Sequence, residues 1–432
     1  MNDTTKPSRL PRALRPFAVG QYRLLTWALV CSMLSIGIWL VASVWQVIQL
    51  GGTPTDLSVV ALGASLGLVL SVLIGGVVAD RIPQRFILLT VELVRGLGFG
   101  AAAILALTDS IVIWQLAVIA FVLGVADGFF FPAYSAWLPA LIEPDQLLAA
   151  NGIEGVLRPT IMQAAGPALA SVIIAVSSPG VAFAVVALIQ VGAATALVLM
   201  STTAVRRDVD SSRHPLVSAV IDLRDGFSYM VRTRWLLATL LFATLLVLVI
   251  IGPIEVLLPF AVKGQTGGGA GAFAVALAAF GIGGAIGSLA VASIRLPRRY
   301  LTLMILGWGV GCLPIAVIGY TNQLWVMVIA LFTCGLLFSG AQVLWGTLLQ
   351  RRVPPAMLGR VSSLDFFVSL ALMPVSMAIA GPVGESIGLA PAFLIAGLVP
   401  TVLAVATLAL ARLGADERAH PLDSAPEDVP AK

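Results

Sequence analysis

LSVVALGASLGLVLSVLIGGVVADRIPQR, at residues 57 to 85, is an unbroken apolar run that ends in a charged turn. The apolar part, 57 to 79, matches the roughly 20 residues that an α-helix needs to cross a hydrocarbon layer of about 30 Å. Asp80, Arg81 and Arg85 follow directly behind it. This pattern predicts a membrane-spanning helix that emerges at a polar surface.

Similar apolar runs fill most of the chain. We predict spans at 22–48, 57–79, 86–107, 111–138, 147–175, 180–203, 235–260, 270–294, 300–320, 323–348, 362–385 and 391–412. Apolar residues make up 59% of the chain and charged residues 11%, whereas soluble domains are about a quarter charged. Because soluble domains stop growing at roughly 250–300 residues and separate into pieces with polar surfaces, this composition excludes a soluble protein.

The spans fall into two sets of six with a charged segment between them. We predict an all-α polytopic membrane protein whose twelve transmembrane helices form two six-helix bundles with pseudo-two-fold symmetry. The expected domains are a cytoplasmic N-terminal arm (1–21), the first bundle (22–203), a cytoplasmic linker (204–234), the second bundle (235–412) and a disordered cytoplasmic tail (413–432). Within the linker, the apolar spacing from Leu216 to Met230 predicts an amphipathic helix on the membrane surface.

Lysine and arginine are distributed unequally between alternate loops. The N-terminal arm, the linker and the loops after spans two, eight, ten and twelve all fall on one side, and the other side has only Lys263. Since basic loops remain cytoplasmic, we predict a multi-pass protein of the inner (plasma) membrane with both termini inside. The net charge of +4 then matches anionic inner-leaflet lipid and does not indicate nucleic acid.

The residue types common in enzyme active sites and metal sites are not arranged here in the patterns that such sites require. The cysteines, Cys31, Cys312 and Cys334, are isolated within spans, and both histidines, His214 and His420, lie outside them. There is no Cys/His cluster, GxxxxGKS/T loop or Ser/His/Asp set within the spans. We therefore expect no enzyme, cofactor or metal, and a monomer whose partners are a small-molecule substrate, protons and membrane lipid.

Corresponding loops of the two halves resemble each other. Residues 81–85, RIPQR, follow span two and residues 295–299, RLPRR, follow span eight; residues 138–147, LPALIEPDQL, follow span four and residues 349–358, LQRRVPPAML, follow span ten. Transporter folds are commonly built from such duplicated helix sets around a central site. The repeat therefore favours a transporter.

The turn quoted above resembles a known signature. Residues 76–85, GVVADRIPQR, resemble the GxxxDRxGRR loop between spans two and three of the major facilitator superfamily, with matches at Gly76, Asp80, Arg81 and Arg85 and departures at Pro83 and Gln84. The segments FPA (131–133), LP (138–139), AN (150–151) and GRVS (359–362) are similar to a bacterial branch of enterobactin exporters and macrolide or tetracycline efflux proteins. This resemblance, over 15–412, implies a twelve-helix transporter that opens alternately to each side, usually by proton exchange.

The signature loop has two interpretations. At the end of span two, the Asp80 carboxylate is placed to stabilise the positive N-terminus of a helix, and the resemblance implies that this helix is span eleven. The loop would then act as a cytoplasmic gate that opens with the protein. Alternatively, Asp80, Arg81 and Arg85 only anchor the loop at the lipid interface.

Charged residues inside the spans indicate a pathway or a buried pair, because each costs at least about 2.5–3.5 kcal/mol at mid-bilayer. Counted from the turn after span four, Asp127 and Arg158 both lie roughly 20 Å deep. We predict a proton-coupling cluster of Asp127, Arg158 and Glu154. The alternative is an i,i+4 pair of Glu154 and Arg158, with Asp127 bonded to backbone.

Two other sets of intramembrane charges are expected to be structural. Glu92 and Arg95 are three residues apart and can neutralise each other. Asp365 falls in the predicted first turn of span eleven, where the helix end favours an acid. Many relatives in the resembled family have an acidic residue midway along span one. This chain has Ser35-Ile36-Gly37-Ile38 there instead.

In this fold, spans one, four, seven and ten are expected to surround the substrate cavity. Its candidate residues are Trp39, Gln46, Phe130, Tyr134, Glu255, Gln342 and Trp345. Large aromatics with few polar groups suit a hydrophobic or amphipathic solute, although such residues also pack or face lipid. We predict an exporter of a drug or siderophore-like metabolite by proton antiport; the alternatives are a lysophospholipid transporter and a non-transporting membrane sensor.

Overall fold

The computed structural model describes residues 12–79, 81–143, 146–201, 215–294 and 296–422. Twelve spans in these residues are long and apolar enough to cross a membrane, which confirms the predicted fold class. The first six are Gly20–Gln49, Pro54–Ala79, Gln84–Leu107, Ile113–Leu141, 147–176 and Pro179–Leu199. The other six are Arg234–Thr266, Ala270–Ser293, Tyr300–Tyr320, Leu324–Arg352, 355–387 and Leu389–Leu410.

Local backbone signals explain where the ends differ from the predicted ones. Span six ends at Leu199 rather than near 203, because Met200 is already extended. Span seven continues to Thr266 rather than 260, and stops at Gly267, whose φ of 67° is the left-handed conformation that glycine adopts easily. Span eleven begins at Pro355 rather than 362, since proline is favoured in the first helical turn.

Three spans change helical type along their length, and a fourth is interrupted by a break. Span five is α-helical at Leu147–Leu157, π-helical at Arg158–Ala165 and α-helical at Gly166–Val176. Span seven has a π-helical turn at Pro253–Leu257. Span nine ends in a 3₁₀-helix at Leu313–Tyr320, and span eleven breaks between Leu370 and Met373. Because π-turns frequently occur at functional sites, spans five and seven are candidates for functional positions.

The chain divides into two compact units. The first contains Met1–Ser211 and Gly268–Ala278, and the second contains Ser212–Gly267 and Ala279–Lys432. Within the first unit, span four packs mainly against spans two and three, and span five packs mainly against span one. The second unit includes a helix at Pro215–Arg232, in the segment where we expect a surface helix. Its placement on a membrane and the predicted domain limits stay predictions.

The two units contain the same close helix crossing. A Cβ added to Gly124 of span four would lie 2.0 Å from the carbonyl oxygen of Ala64 in span two, and one added to Gly335 of span ten would lie 2.1 Å from that of Phe280 in span eight. Gly124 and Gly335 each lie eleven residues after the first residue of their helix, at 113 and 324. Their partners, Ala64 and Phe280, each lie ten residues after the first residue of theirs, at 54 and 270. Small residues allow such backbone contact in membrane helices, and the equal registers identify an internal repeat.

Candidate functional site

An arginine of span three is the centre of a polar network inside the first unit. Arg95 is 1% exposed and donates from Nε to Oδ1 of Asp127 at 3.0 Å, and from Nη1 to Ser32 Oγ at 3.0 Å and Glu92 Oε1 at 3.3 Å. Its Nη2 also pairs with Asp127, and Ser32 donates to Glu92. The guanidinium lies 4.7 Å from the ring centroid of Phe130. Arg95 thereby connects spans one, three and four.

The network contains two carboxylates and one guanidinium. Pairing offsets the cost of placing Arg95 within a membrane span, but one negative charge is in excess when both acids are ionised. Glu92 is 1% exposed, whereas the Asp127 side chain is 31% exposed. Asp127 is therefore the more accessible of the two acids.

The predicted cluster of Asp127, Arg158 and Glu154 is wrong in its central contact. The partner of Asp127 is Arg95, while Arg158 Nη2 pairs with Glu154 Oε1 at 2.8 Å. The equal depths did not bring Asp127 and Arg158 together because span four packs on span three, and span five packs on span one. Glu92 and Arg95 do pair, as expected, but Arg95 also bridges to Asp127.

The Glu154–Arg158 pair lies beside aromatic residues of span four, Phe131 and Tyr134. Arg158 is the first residue of the π-helical segment and lies 4.9 Å from the ring centroid of Phe131. The side chains of Arg158 and Glu154 are 35% and 22% exposed, so the pair is much less buried than Arg95. Tyr134 is buried and stacks with Phe130, with 6.1 Å between ring centroids. Phe130 therefore contacts both Arg95 and Tyr134.

The gate motif is only partly described. Asp80 lies outside the described residues, so the predicted gate stays a prediction. Arg81 is exposed, and Gly76 has open space where a Cβ would be. Arg85 donates from Nε to the carbonyl oxygen of Leu197 at 2.9 Å and from Nη2 to that of Val198 at 2.5 Å. Those carbonyls are among the last of span six, so Arg85 stabilises that helix end within the first unit.

Glu255 lies in the π-helical turn of span seven. It follows Pro253 by two residues, and among the described residues it makes neither a hydrogen bond nor an ion pair. A π-turn directs side chains differently from an α-helix and is often found at functional sites. An unpaired intramembrane acid is a functional candidate by default, so Glu255 keeps its place among the candidate substrate residues.

Two cavity candidates of span one are in different surroundings. The ring of Trp39 lies between Phe99 of span three and Phe183 of span six, with centroid separations of 5.4 and 5.2 Å. Phe99 and Phe183 are buried and Trp39 is partly buried, so Trp39 packs against the interior of the first unit. Gln46 is also buried, one residue after Trp45, which stacks on Phe273 at 5.9 Å.

In the second unit, a candidate cavity residue is hydrogen-bonded to an acidic residue. Trp345 is buried and donates from Nε1 to Oδ2 of Asp365 at 3.0 Å, and Ser369 donates to Oδ1 at 3.2 Å. The expectation that Asp365 lies in the first turn of span eleven is wrong, because that helix begins ten residues earlier at Pro355. Asp365 instead accepts hydrogen bonds from side chains. Gln342, three residues before Trp345, is exposed.

Sequence reasoning missed the role of Arg95 and the participation of Ser32. One available signal was depth: Arg95 is eleven residues from the start of span three at Gln84, and Asp127 is fourteen from the end of span four at Leu141. At a rise of 1.5 Å per residue these are about 17 and 21 Å. A serine within an apolar span carries no comparable signal. Among the described residues, no group of three or more His, Cys, Asp or Glu is arranged to hold a metal ion.

Comparisons with known proteins agree with this architecture. The chain is 25% identical to the multidrug efflux pump Tap of Mycolicibacterium fortuitum over 91% of this chain and 96% of that one. It is 27% identical to the enterobactin exporter EntS of Escherichia coli O81 over 74% and 73%, and 22% identical to macrolide efflux protein A of Streptococcus pyogenes over 76% and 81%.

Solved transporter structures share the fold. The nucleoside transporter NupG superposes with a TM-score of 0.70 at 12% identity, over 90% of this chain and 98% of that one. A POT family transporter superposes with a TM-score of 0.68 at 13% identity, over 90% and 96%. The family model described as transmembrane secretion effector matches residues 12–429. With twelve apolar spans and these relatives, the chain is a multi-pass membrane transporter and belongs to the transmembrane secretion effector family of the major facilitator superfamily.

Proposed function

We propose that this protein exports a hydrophobic or amphipathic small molecule in exchange for protons, by alternating access. The observation that carries the proposal is the ion pair between the fully buried Arg95 and the partly exposed Asp127. A carboxylate within a span is retained where it has a partner or a function. Asp127 has a partner and also an open surface, as a proton-exchanging group requires.

Coupling follows from competition at Asp127. When Asp127 is ionised, it pairs with Arg95. When Asp127 is protonated, Arg95 interacts mainly with Glu92 and Ser32. A cationic solute near Asp127 favours its ionised form, because a nearby opposite charge favours ionisation. Solute binding then releases the proton, and solute departure permits its return. By linkage, proton and solute oppose each other's binding, which is the requirement for antiport.

The Glu154–Arg158 pair is a second candidate for coupling. It lies on an adjacent aromatic surface with Phe131, and its side chains are more exposed than Arg95. It joins two residues one turn apart on the same helix, and such i,i+4 pairs contribute only about 0.2–0.5 kcal/mol. We assign the principal proton site to Asp127 for that reason.

The substrate class follows from aromatic side chains and one unpaired acid. Phe130 and Tyr134 stack on each other in the first unit, Trp345 lies in the second unit, and Glu255 is a carboxyl group without a hydrogen-bond or ion-pair partner among the described residues. Aromatic faces and a carboxylate together favour an amphipathic cation. The names of the relatives, a macrolide efflux protein, a multidrug efflux pump and an enterobactin exporter, support a drug or a siderophore-like metabolite.

The expected setting is the bacterial inner membrane with both termini in the cytoplasm, since the basic loops fall on one side. The gate motif at Gly76, Asp80, Arg81 and Arg85 would lie on that cytoplasmic side. We propose that Asp80 closes the protein there. Transport of labelled lysophospholipid by reconstituted vesicles would favour the lipid-transporter alternative, and binding without flux would favour a sensor.

The test is the accumulation of a fluorescent cationic dye in cells that express the protein or its Asp127→Asn variant. We expect the protein to lower dye accumulation until a protonophore collapses the proton gradient, and the variant to have no gradient-dependent effect. Asp109→Asn is the matched control, because Asp109 is exposed in a loop and its φ of 53° is a conformation that asparagine tolerates. Gradient-dependent efflux by Asp127→Asn equal to that of the control would remove Asp127 from the mechanism.

A further inference from the structure

Asp365 of span eleven lies between two neutral hydrogen-bond donors. Its Oδ2 accepts a hydrogen bond from Trp345 Nε1 of span ten at 3.0 Å, and its Oδ1 accepts one from Ser369 Oγ, one turn along its own helix, at 3.2 Å. Trp345 is buried, and Asp365 is partly buried. Among the residues that the structure describes, no lysine, arginine or histidine pairs with this carboxyl group. The acid has no role in the transport mechanism proposed above.

Charged groups on the neighbouring helices are engaged elsewhere. The helix Pro355–Leu370, which contains Asp365, packs against the helix Pro215–Arg232, against Arg234–Gly252 of span seven and against span ten. The described charged side chains of these elements are exposed at Arg224 and Arg232, and the others bind as follows: Arg360 to Asp225, Arg352 to Asp416, Arg234 to the carbonyl oxygen of Leu410, and Arg351 to that of Leu422. Burial without a cation favours the neutral form of an acid. The surroundings of Asp365 therefore favour a protonated carboxyl group.

The hydrogen bonds at Asp365 fit both the protonated and the ionised carboxyl group. An indole N–H can only donate, whereas a hydroxyl group can donate or accept. When Asp365 is ionised, Trp345 and Ser369 both donate to it. When Asp365 is protonated on Oδ1, it donates to Ser369 Oγ, and Ser369 can donate in turn to a backbone carbonyl of the preceding helical turn. A proton can therefore bind here and leave again while each polar atom keeps a partner.

Asp365 and Asp127 are in opposite electrostatic surroundings. A proton on Asp127 competes with the guanidinium of Arg95, whereas a proton on Asp365 competes with no cation of the described residues. A nearby positive charge favours the ionised form of an acid. Asp365 is therefore expected to bind a proton more tightly than Asp127 does.

We propose that Asp365 is a second proton-binding residue of the transport cycle, with Trp345 and Ser369 as its positioning residues in the second unit. This inference rests on the proton antiport proposed above and adds a stoichiometry to it: one proton at Asp127 and one at Asp365 for each solute. A solute cation near Asp365 favours the ionised form, so that solute binding releases this proton too. Transport still requires exchange at Asp127, because only there does loss of the proton restore an ion pair, with Arg95.

The first test is labelling of the purified full-length protein with dicyclohexylcarbodiimide, an apolar reagent that modifies protonated carboxyl groups. The acid gives its proton to a nitrogen of the reagent, its oxygen adds to the central carbon, and the acyl group migrates to nitrogen, so that an N-acylurea forms without loss of any atom. We expect mass spectrometry to find the label on Asp365 at neutral pH. Asp225 is the internal control, because it is exposed and pairs with Arg360. Labelling of Asp365 no greater than that of Asp225 would overturn the proposal, whether or not the protein is an antiporter.

The pH dependence of this labelling tests the hydrogen bond from Trp345. Trp345→Phe keeps an aromatic ring and removes the donor, which favours the ionised acid more than the neutral one. Labelling of Asp365 should therefore persist to a pH about one unit higher than in the unaltered protein. Trp325→Phe is the matched control, because Trp325 is an exposed tryptophan at the other end of span ten. Equal pH profiles for the two variants would contradict the proposed role of Trp345.

The second test measures stoichiometry in proteoliposomes whose membrane potential is held at zero. The measured quantity is the ratio of cationic dye across the membrane at which net flux stops. We expect this ratio to equal the square of the proton ratio for the unaltered protein and for the control Asp109→Asn. Asp365→Asn can keep both hydrogen bonds but cannot release a proton, so its dye ratio should fall to the proton ratio itself. The same dye ratio with and without Asp365→Asn would overturn the second proton and leave antiport intact. Absence of gradient-driven flux in the unaltered protein would instead overturn the proposed function.

Discussion

Arg95 directs two donors, Nε and Nη2, to the same oxygen of Asp127, Oδ1. The second oxygen, Oδ2, makes no hydrogen bond to the described residues, and the side chain is 31% exposed. A carboxylate held in this way has one oxygen fixed by the protein and one available to a proton or a solute. Arg95 therefore orients Asp127 as well as neutralising it.

Removing the cation should destabilise the protein strongly. Arg95→Met leaves the buried Glu92 and the partly buried Asp127 without a positive partner. Breaking a buried pair in this way typically costs about 3–5 kcal/mol, because the remaining charge stays buried. We expect a clear decrease in the thermal unfolding midpoint of the purified protein in detergent.

Arg158→Met is the control for that decrease. Its side chain is 35% exposed, pairs with Glu154 on the same helix and lies over the ring of Phe131, so the expected cost is only about 1 kcal/mol. If both variants lowered the midpoint equally, the network around Arg95 would not be the more important electrostatic element of the first unit.

Neutralising the acid should affect coupling more than folding. Asp127→Asn retains a side chain of the same shape, and Arg95 retains Glu92 and Ser32. In proteoliposomes with an imposed pH gradient, we expect transport by this variant to fall to the rate seen without a gradient. Asp127→Glu keeps the titratable group and should retain part of the gradient-driven rate. The thermal midpoint of Asp127→Asn should decrease less than that of Arg95→Met.

Equal loss of transport in Asp127→Asn and Asp127→Glu would instead indicate a positional role. In that case the exact placement of the side chain, rather than its proton, would limit transport.

The number and order of the spans could be predicted because the length of an apolar run is a local property of the sequence. The partner of Asp127 could not. Depth along a helix follows from the rise per residue, but the direction of a side chain around the helix depends on which neighbour it packs against. Arg158 and Asp127 share a depth, yet span five packs on span one and becomes π-helical at Arg158.

The same limit applies to aromatic and acidic residues within spans. The sequence could not distinguish a cavity position for Trp39 from its position between Phe99 and Phe183, because either surrounding is apolar. From the sequence, Asp365 is predicted at the start of span eleven, because the predicted apolar run begins just before it. The helix itself begins earlier, at Pro355, because proline is favoured in the first helical turn.

The repeated glycine crossing should be equally important in both units. Gly124→Leu forces a side chain against the backbone of Ala64, and Gly335→Leu does the same at Phe280. Overpacking of this kind usually costs about 1–3 kcal/mol and more where backbone blocks the side chain. We expect both variants to lower the thermal midpoint by similar amounts. Gly346→Leu, with open space at its Cβ, should leave it nearly unchanged, and a decrease for only one of the two crossing variants would argue against equivalent roles.

A carboxylate near the C-terminus caps the start of span nine. Glu417, in the short helix Leu413–Ala419, is 2% exposed and accepts from the backbone nitrogen of Thr302 at 3.0 Å and from its Oγ1 at 2.6 Å. Thr302 is the third residue of span nine, which begins at Tyr300. The first nitrogens of a helix have no partner within it, and the helix end favours a negative charge.

Glu417→Ala should therefore destabilise the second unit by about 1–3 kcal/mol, the cost of leaving a buried donor without an acceptor. We expect Glu417→Gln to have a smaller effect, because its amide oxygen still accepts from Thr302. This loss of stability can be measured as a change in the thermal unfolding midpoint and in the rate at which a protease removes the C-terminal segment. Arg418→Ala is the control, since Arg418 is exposed and, among the described residues, hydrogen-bonds within its own helix, to Gly414. If Glu417→Ala and Arg418→Ala were cleaved equally slowly, the C-terminal helix would be held by its apolar contacts rather than by this cap.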